Sequence, residues 1–253
     1  MSLIYLAGVR MYQGFIDEGK ELILESITHA ESLEFPFGLA FCHCCAAIFL
    51  RMIYDVDAVE THAEAQLKIS LEKNFPWLTN HALIFSGWAQ HRHNKPGSFE
   101  KIETGINQII SWGSTPFDSV GYHVLAHQEA CISSHRYDLA RDKIEDILTT
   151  IKSLGLEINL PEALRLKGLC TLGQNGSATS EVEDCFQQSL TLAKKHKNKV
   201  FEIRTAISYA RILGETEERQ RAYDLLHPIC ETFTEGLNTP LLLEAETLLN
   251  ELQ

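Results

Sequence analysis

The segment IETGINQI, residues 102–109, carries apolar side chains at Ile102, Ile106 and Ile109. Offsets of four and then three residues put these side chains on one face of an α-helix. The same offsets, with mostly small or apolar residues, recur at Gly19/Ile23/Ser26, Val59/Ala63/Gln66, Ala140/Ile144/Ile147, Val182/Phe186/Ser189 and Ala222/Leu226/Ile229. The sets follow one another at nearly equal steps of about forty residues. A fixed period of this size is typical of a helical array, in which each unit buries its apolar face by stacking on its neighbours.

Each unit is predicted to be a pair of antiparallel helices, A and then B. The predicted A helices lie near residues 2–13, 37–53, 77–92, 118–135, 161–174 and 199–213. The predicted B helices lie near residues 17–34, 57–74, 98–112, 137–154, 180–197 and 216–234, and a capping helix lies near 239–252. The fold class expected from this pattern is an all-α superhelix of six helix pairs plus the cap, with residues 1–253 forming a single domain.

The residues between the helices agree with this division. Phe35-Pro36 and Phe75-Pro76, forty residues apart, open two A helices, where the missing N–H of proline has no intrahelical partner to lose. Asp57-x-x-Glu60 and Ser180-x-x-Glu183 have the pattern of capping boxes at the starts of two B helices.

Charge and composition exclude some classes of partner. The chain has 34 acidic and 22 basic residues, a net charge of −12, which argues against a nucleic-acid groove and against an anionic membrane surface. The longest apolar stretch, residues 39–54, is shorter than the ~20 residues that a bilayer span requires and is expected to be a buried helix. The N-terminus lacks the pattern of a signal peptide, and seven cysteines within predicted helices fit reduced thiols, so we expect a cytoplasmic protein without membrane insertion.

The last three units resemble a known family. The segments that carry the resemblance are PEALRLKG at 161–168, VEDCFQQSLTLA at 182–193, FEIRTAISYAR at 201–211 and FTEGLNTP at 233–240. They are similar to the C-terminal tetratricopeptide-like region of bacterial signalling proteins that fuse a class III adenylate/guanylate cyclase domain, or another signalling domain, to a predicted ATPase. Val182 and Ser189 stand where alanine is usual in that region. The resemblance implies a cytoplasmic sensory or scaffolding module, and a chain that is part of a larger protein.

The length of the repeat does not by itself distinguish between families of helical repeats. A tetratricopeptide unit has about 34 residues, and HEAT-like helix pairs share the longer period of about forty. Motifs for binding nucleotide phosphates or for hydrolysis, such as G-x-x-x-x-G-K-[ST], G-x-S-x-G and H-E-x-x-H, do not occur in the sequence. We therefore expect neither an enzyme nor a resident cofactor in this chain.

Two clusters of cysteine and histidine invite a metal interpretation. Cys42 and Cys45 form a C-x-x-C within an apolar helix, and His91 and His93 on the next A helix could complete a zinc site. We favour simple packing of small polarizable side chains, with zinc binding and redox chemistry as alternatives. A second cluster, His123, His127, Cys131 and His135, forms a stripe along one A helix, for which we favour a structural or groove-lining role over metal binding.

The expected function is the binding of a protein or peptide partner. In tetratricopeptide-like arrays the A helices line the concave surface, so the resemblance implies that the histidine stripe could face a groove. The aromatic residues of 75–120 are expected mainly in the core, and any that are exposed would be peptide anchors in the middle of the concave surface. The candidate groove residues are His43, Trp88, His91, His123 and His127. The alternative is a small-molecule-sensing domain that controls a linked cyclase or ATPase. The sequence also leaves a homodimer open.

Overall fold

The structure is a computed structural model that describes residues 2–111, 122–216 and 218–253. Within these residues the chain forms α-helices, one short 3-10 helix at Glu157–Asn159 and no β-strand. The helices are α1 Ser2–Tyr12, α2 Ile16–Ser32, α3 Pro36–Met52, α4 Val56–Glu72, α5 Pro76–Arg92, α6 Ser98–Ser111, α7 His123–Ser133, α8 Tyr137–Ser153, α9 Leu160–Asn175, α10 Ser180–Lys195, α11 Lys199–Gly214, α12 Arg219–Cys230 and α13 Pro240–Leu252.

These helices match the predicted pairs closely. The odd-numbered helices from α1 to α11 are the A helices, the even-numbered ones are the B helices, and α13 is the predicted cap. The predicted start of the fourth A helix, at residue 118, and the aromatic residues Trp112 and Phe117 lie outside the described residues. None of the described helices has the length and apolar character that a bilayer span requires.

The repeated apolar sets form the core that the sequence predicts. Every residue of the six sets is buried, from Gly19 in α2 to Ile229 in α12. Two of the polar members form hydrogen bonds to a neighbouring helix: Gln66 Nε2 donates to the carbonyl of Leu78 at 2.8 Å, and Ser189 Oγ donates to the carbonyl of Pro161 at 2.6 Å. Ser189, which stands where the family resemblance expects alanine, therefore joins α10 to α9.

Left-handed residues end most of the helices, at intervals of about half the repeat. They are Gly14, Glu34, Tyr54, Asn74, Asn94, His135, Gly155, Gly176 and Lys197. After many of them, the next residue donates its N–H to the carbonyl five residues earlier, as Phe75 does to Ser70 at 2.8 Å and Leu156 does to Ile151 at 3.0 Å. This bond is the signature of the Schellman motif, which satisfies carbonyls at the end of a helix. The same turn thus joins one helix to the next in many places along the chain.

The two predicted capping boxes are not formed as expected. Helix α10 already includes Ser180, so the N-cap is the preceding residue, Thr179, whose hydroxyl accepts a hydrogen bond from the N–H of Val182 at 3.4 Å. Helix α4 begins at Val56, so Asp57 lies in the first turn and its side chain is not the cap. At both positions the carboxylates in the first turn still complement the helix dipole.

Contacts divide the chain into two compact units. Unit 1 contains Met1–Met11 and Ile16–Ala130, and unit 2 contains Tyr12–Phe15 and Cys131–Gln253. In unit 1, consecutive helices from α2 to α6 pack on each other, and α3 also packs on α5. In unit 2, consecutive helices from α8 to α13 pack on each other, α9 also packs on α11, and α11 packs on α13. Within each unit, therefore, an A helix contacts both its own partner and the next A helix, as a helical repeat requires.

Candidate functional site

Buried polar side chains of the A helices meet inside unit 1. Arg51 of α3 donates through Nη1 to Glu129 Oε2 of α7 at 2.7 Å, and Trp88 Nε1 of α5 donates to the same oxygen at 3.1 Å. The guanidinium of Arg51 also lies 5.9 Å from the centre of the Trp88 ring. Each of the three helices contributes one group, so the ion pair and the indole link α3, α5 and α7.

A second polar group, which we call the Cys44 cluster, lies about two helical turns before this ion pair in α3 and α5. It consists of Cys44 of α3, His81 of α5 and His123 of α7, all buried. Cys44 Sγ lies 3.9 Å from His81 Nδ1, and the rings of His81 and His123 meet edge to face with centroids 3.7 Å apart. Burial lowers the pKa of His81 to about 3, so this imidazole is neutral at physiological pH.

The candidate groove residues do not share one open surface. Trp88, His123 and His127 are buried, with 0%, 1% and 1% of their surface exposed. His127 packs near the Phe99 ring, 5.7 Å away, whereas His123 packs on His81. The histidine stripe of α7 is therefore divided between different neighbours.

The remaining candidate groove residues are half-buried. His43 Nδ1 lies 2.9 Å from His62 Nδ1 of α4, and burial together with the nearby His62 lowers the pKa of His43 to about 4. His91 packs edge to face near the Phe99 ring, with centroids 6.4 Å apart. These side chains connect helices of unit 1. The structure therefore does not form a groove lined by all five candidate residues.

The zinc alternative from sequence requires a different set of ligands. Cys42 directs its thiol toward the carbonyl of Ser26 at 3.7 Å, and His93 pairs with Asp57 of α4 at 3.1 Å. Among the described residues, the group that could hold a metal ion is the Cys44 cluster, which contains neither Cys42 nor Cys45. Burial raises the pKa of both of these thiols, which disfavours the thiolates that redox chemistry requires.

Unit 2 contains its own buried ion network. Glu162 of α9 accepts a hydrogen bond from Arg165 Nη2 at 2.7 Å and another from Arg204 Nη2 of α11 at 2.8 Å. All three side chains are buried. The three residues belong to the segments PEALRLKG and FEIRTAISYAR that carry the family resemblance. Those segments therefore have a structural role in joining α9 to α11.

The Cys44 cluster was not predicted from sequence, because the predicted zinc site started from Cys42 and Cys45 of one helix and added other residues, His91 and His93, of the next A helix. Cys44 and His81 are 37 residues apart, and His123 follows after a similar step, so the spacing is close to the period of the array. The ion-pair group is spaced in the same way, with 41 residues between Trp88 and Glu129. A polar register along the A helices, read in the same way as the apolar register of the B helices, would have identified both groups.

A group of exposed and half-buried aromatic side chains lies at the starts of α3 and α5. The aromatic surface consists of Phe35, Phe37, Phe75 and Trp77, and the first two are 48% and 40% exposed. The Phe37 ring lies 6.3 Å from that of Phe35 and 5.4 Å from that of Phe75, so the surface is continuous across the two A helices. Residues 74–78 and Phe37 line a surface cavity of about 360 Å³ there. The sequence indicated the two Phe-Pro junctions as helix starts but not as a surface.

Comparisons with known proteins add no relative. No family model matches the chain, and no curated protein matches it significantly.

Proposed function

We propose that this chain is a non-catalytic, tetratricopeptide-like binding module of a bacterial cytoplasmic signalling protein, and that it binds a peptide segment of a partner protein. The aromatic surface is the observation that carries the proposal. Large aromatic side chains that are exposed together mark interaction sites, and aromatic residues dominate the energetics of protein interfaces. Phe35 and Phe37 do not belong to the buried cores of the two units, and nearly half of each side chain is exposed to solvent.

Repetition supports the same interpretation. The aromatic surface uses the Phe-Pro junctions of two consecutive units, forty residues apart. Equivalent positions of neighbouring repeats thus face the same side of unit 1, which is how repeat proteins build an extended surface for a linear partner. The resemblance of the last three units to a module of cyclase–ATPase proteins supports a role in signalling.

Charge selects the kind of peptide. Glu31, Glu34 and Glu72 are exposed and lie within four residues of Phe35 or Phe75 along the chain, where Lys73 is the nearby cation. The whole chain carries a net charge of −12. A segment with an aromatic or aliphatic anchor and basic flanking residues would place apolar groups on the aromatic surface and cations beside these carboxylates.

A peptide-display selection against the purified chain tests this proposal. Enriched peptides should combine an apolar anchor with Lys or Arg, and Phe37→Ser should weaken their binding at least about tenfold, as for a central anchor residue. Leu71→Ser is a matched control, because Leu71 is an exposed apolar residue of unit 1 outside the aromatic surface. Equal affinity of the Phe37→Ser and Leu71→Ser variants, or no enrichment of apolar-basic peptides, would contradict the proposal.

The alternative, a small-molecule-sensing domain, is favoured by a different observation. Polar groups of α3, α5 and α7 converge inside unit 1 at the ion pair and at the Cys44 cluster. Convergent polar groups in an apolar setting are typical of ligand sites. Isothermal titration of the chain with cyclic and linear nucleotides, and with the metal ions considered below, distinguishes this function from peptide binding.

A further inference from the structure

The Cys44 cluster has the composition of a metal site. One thiol and two imidazoles from three different helices place a ligand atom each within 4.8 Å of one another. In a three-coordinate site with M–S near 2.3 Å and M–N near 2.05 Å, a sulfur and a nitrogen ligand lie about 3.8 Å apart. The distance of 3.9 Å between Cys44 Sγ and His81 Nδ1 is close to this value, so a shift of a few tenths of an ångström would bring the pair into coordination.

The side chain of His81 is enclosed by the protein. The side chain is 1% exposed, and its Nε2 has no hydrogen-bond partner among the described residues. A neutral imidazole carries a lone pair on one of its two nitrogens, and this is the form that binds metals. A metal ion on Nδ1, the nitrogen that lies 3.9 Å from Cys44 Sγ, would leave the ring proton on Nε2.

The number of ligands and the burial select the ion. Thiolate and imidazole together suit copper(I) and zinc, whereas calcium and magnesium require oxygen ligands. Cu⁺ with a single thiolate is neutral, but Zn²⁺ with a single thiolate keeps a positive charge, which is costly in a buried site. Zinc would also need a fourth ligand to complete its usual tetrahedral geometry. The three-ligand, buried cluster therefore matches Cu⁺ better.

We propose that Cys44, His81 and His123 form a three-coordinate site for a thiophilic metal ion, with Cu⁺ as the preferred ion, that ties together α3, α5 and α7. The thiol of Cys44 loses its proton to solvent buffer when the metal binds, and no change of oxidation state is involved. The metal site lies beside the aromatic surface, because the Trp77 ring is 4.0 Å from the ring of His81. Metal binding should therefore change the fluorescence of Trp77.

Titration of the reduced chain under anaerobic conditions tests the site. Wild-type protein should take about one equivalent of Cu⁺ from a colorimetric Cu⁺ chelator, quench tryptophan fluorescence and show thiolate-to-metal absorption in the ultraviolet. Cys44→Ser and His81→Asn should each lower the affinity at least about tenfold, since each removes a ligand. Trp77→Phe should lose most of the quenching and keep the bound metal.

Cys42→Ser and Cys45→Ser are matched controls, because both replace buried cysteines of the same helix that lie outside the cluster. They should bind Cu⁺ like the wild type. Circular dichroism identifies any variant that loses its helices. The absorption of the wild-type complex tests metal binding without any substitution. Absence of Cu⁺ and Zn²⁺ binding by the folded wild type, or equal loss in Cys42→Ser and Cys44→Ser, would overturn the site. Retention of zinc in preference to Cu⁺ would overturn the choice of ion.

Discussion

Replacement of Glu129 by Gln should strongly destabilise unit 1. The carboxylate lies 2.7 Å from the guanidinium of Arg51, and the side chains of Arg51 and Glu129 are 1% and 9% exposed. Removing one partner of a buried ion pair costs about 3–5 kcal/mol, because the other charge stays in the interior without it. Gln keeps an oxygen that accepts from Trp88 Nε1, so we expect the lower end of this range, about 3 kcal/mol, for E129Q. Glu129→Leu also removes that acceptor and should cost about 1–3 kcal/mol more.

Urea denaturation followed by tryptophan fluorescence measures the effect, since Trp88 belongs to the ion-pair group. Glu60→Gln is the control: Glu60 pairs with Lys95 at 2.7 Å, but the Lys95 side chain is 51% exposed, so its loss should cost at most about 1 kcal/mol. The loss of stability in E129Q should persist in high salt, because buried ion pairs are screened by salt much less than exposed ones. If E129Q and E60Q lost similar stability, the buried pair would not have the energetic role assigned to it.

Three further predictions concern the turns, the pH and the cap. Gly155→Ala should destabilise the protein by about 1–2 kcal/mol, because alanine is strained at a backbone φ of +68° even though no atom lies within 4 Å of the added Cβ. Lys197→Gly, at a φ of 54°, should be neutral or stabilising for the same reason. Urea midpoints of the two variants check both expectations. Since the pKa values of His43 and His81 fall from 6.5 to about 4 and about 3 on folding, the unfolded chain binds more protons below pH 6.5. The contribution of these histidines to stability should therefore be complete above pH 6.5 and should decline toward pH 4. His43→Gln should make this decline smaller, and urea midpoints measured across this pH range would show the difference. Ending the chain at Gly236 should lower the melting temperature by several degrees without loss of peptide binding, because α13 buries Leu241 and Leu248 and packs on α11 and α12.

The helices were predictable because their apolar sets recur with helical offsets. Every residue of the six sets is buried, and the helix ends agree with the predicted ones to within a few residues over most of the described chain. The turns were less predictable. Gly and Asn are typical of left-handed positions and can be recognised in the sequence. Tyr54 and Lys197 adopt the same conformation although their residue types do not predict it. Their conformation follows from the packing of the helices on either side, which overrides the local preference.

The candidate site was harder to predict for a different reason. Sequence reasoning grouped residues that are close along one helix, such as Cys42 with Cys45 and His123 with His127. The structure groups one residue from each of three A helices, so Cys44 meets His81 from the next repeat and His123 from the repeat after it. Which face of an A helix turns toward the next A helix depends on the crossing of the helices, which is a property of the assembled unit. The exposure of Phe35 and Phe37 depends on the same crossing.

The repeated apolar sets lie in the B helices, whereas the buried ion pairs lie in the A helices, and this division has a physical consequence. The buried sets of the B helices are chemically similar from unit to unit, so apolar burial alone would distinguish poorly between one order of stacking and another. Buried polar groups are specific, because Arg51 pairs with Glu129 and lies against Trp88, and Arg204 pairs with Glu162. A wrong neighbour would leave a charge unpaired at a cost of several kcal/mol. The double variant Arg51→Met/Glu129→Leu separates the two contributions: it should regain most of the stability that E129Q loses, since well-packed apolar residues replace buried ion pairs without penalty in other proteins. If its amide hydrogen exchange also became heterogeneous in unit 1, the ion pair would be specifying the arrangement of the helices more than stabilising it.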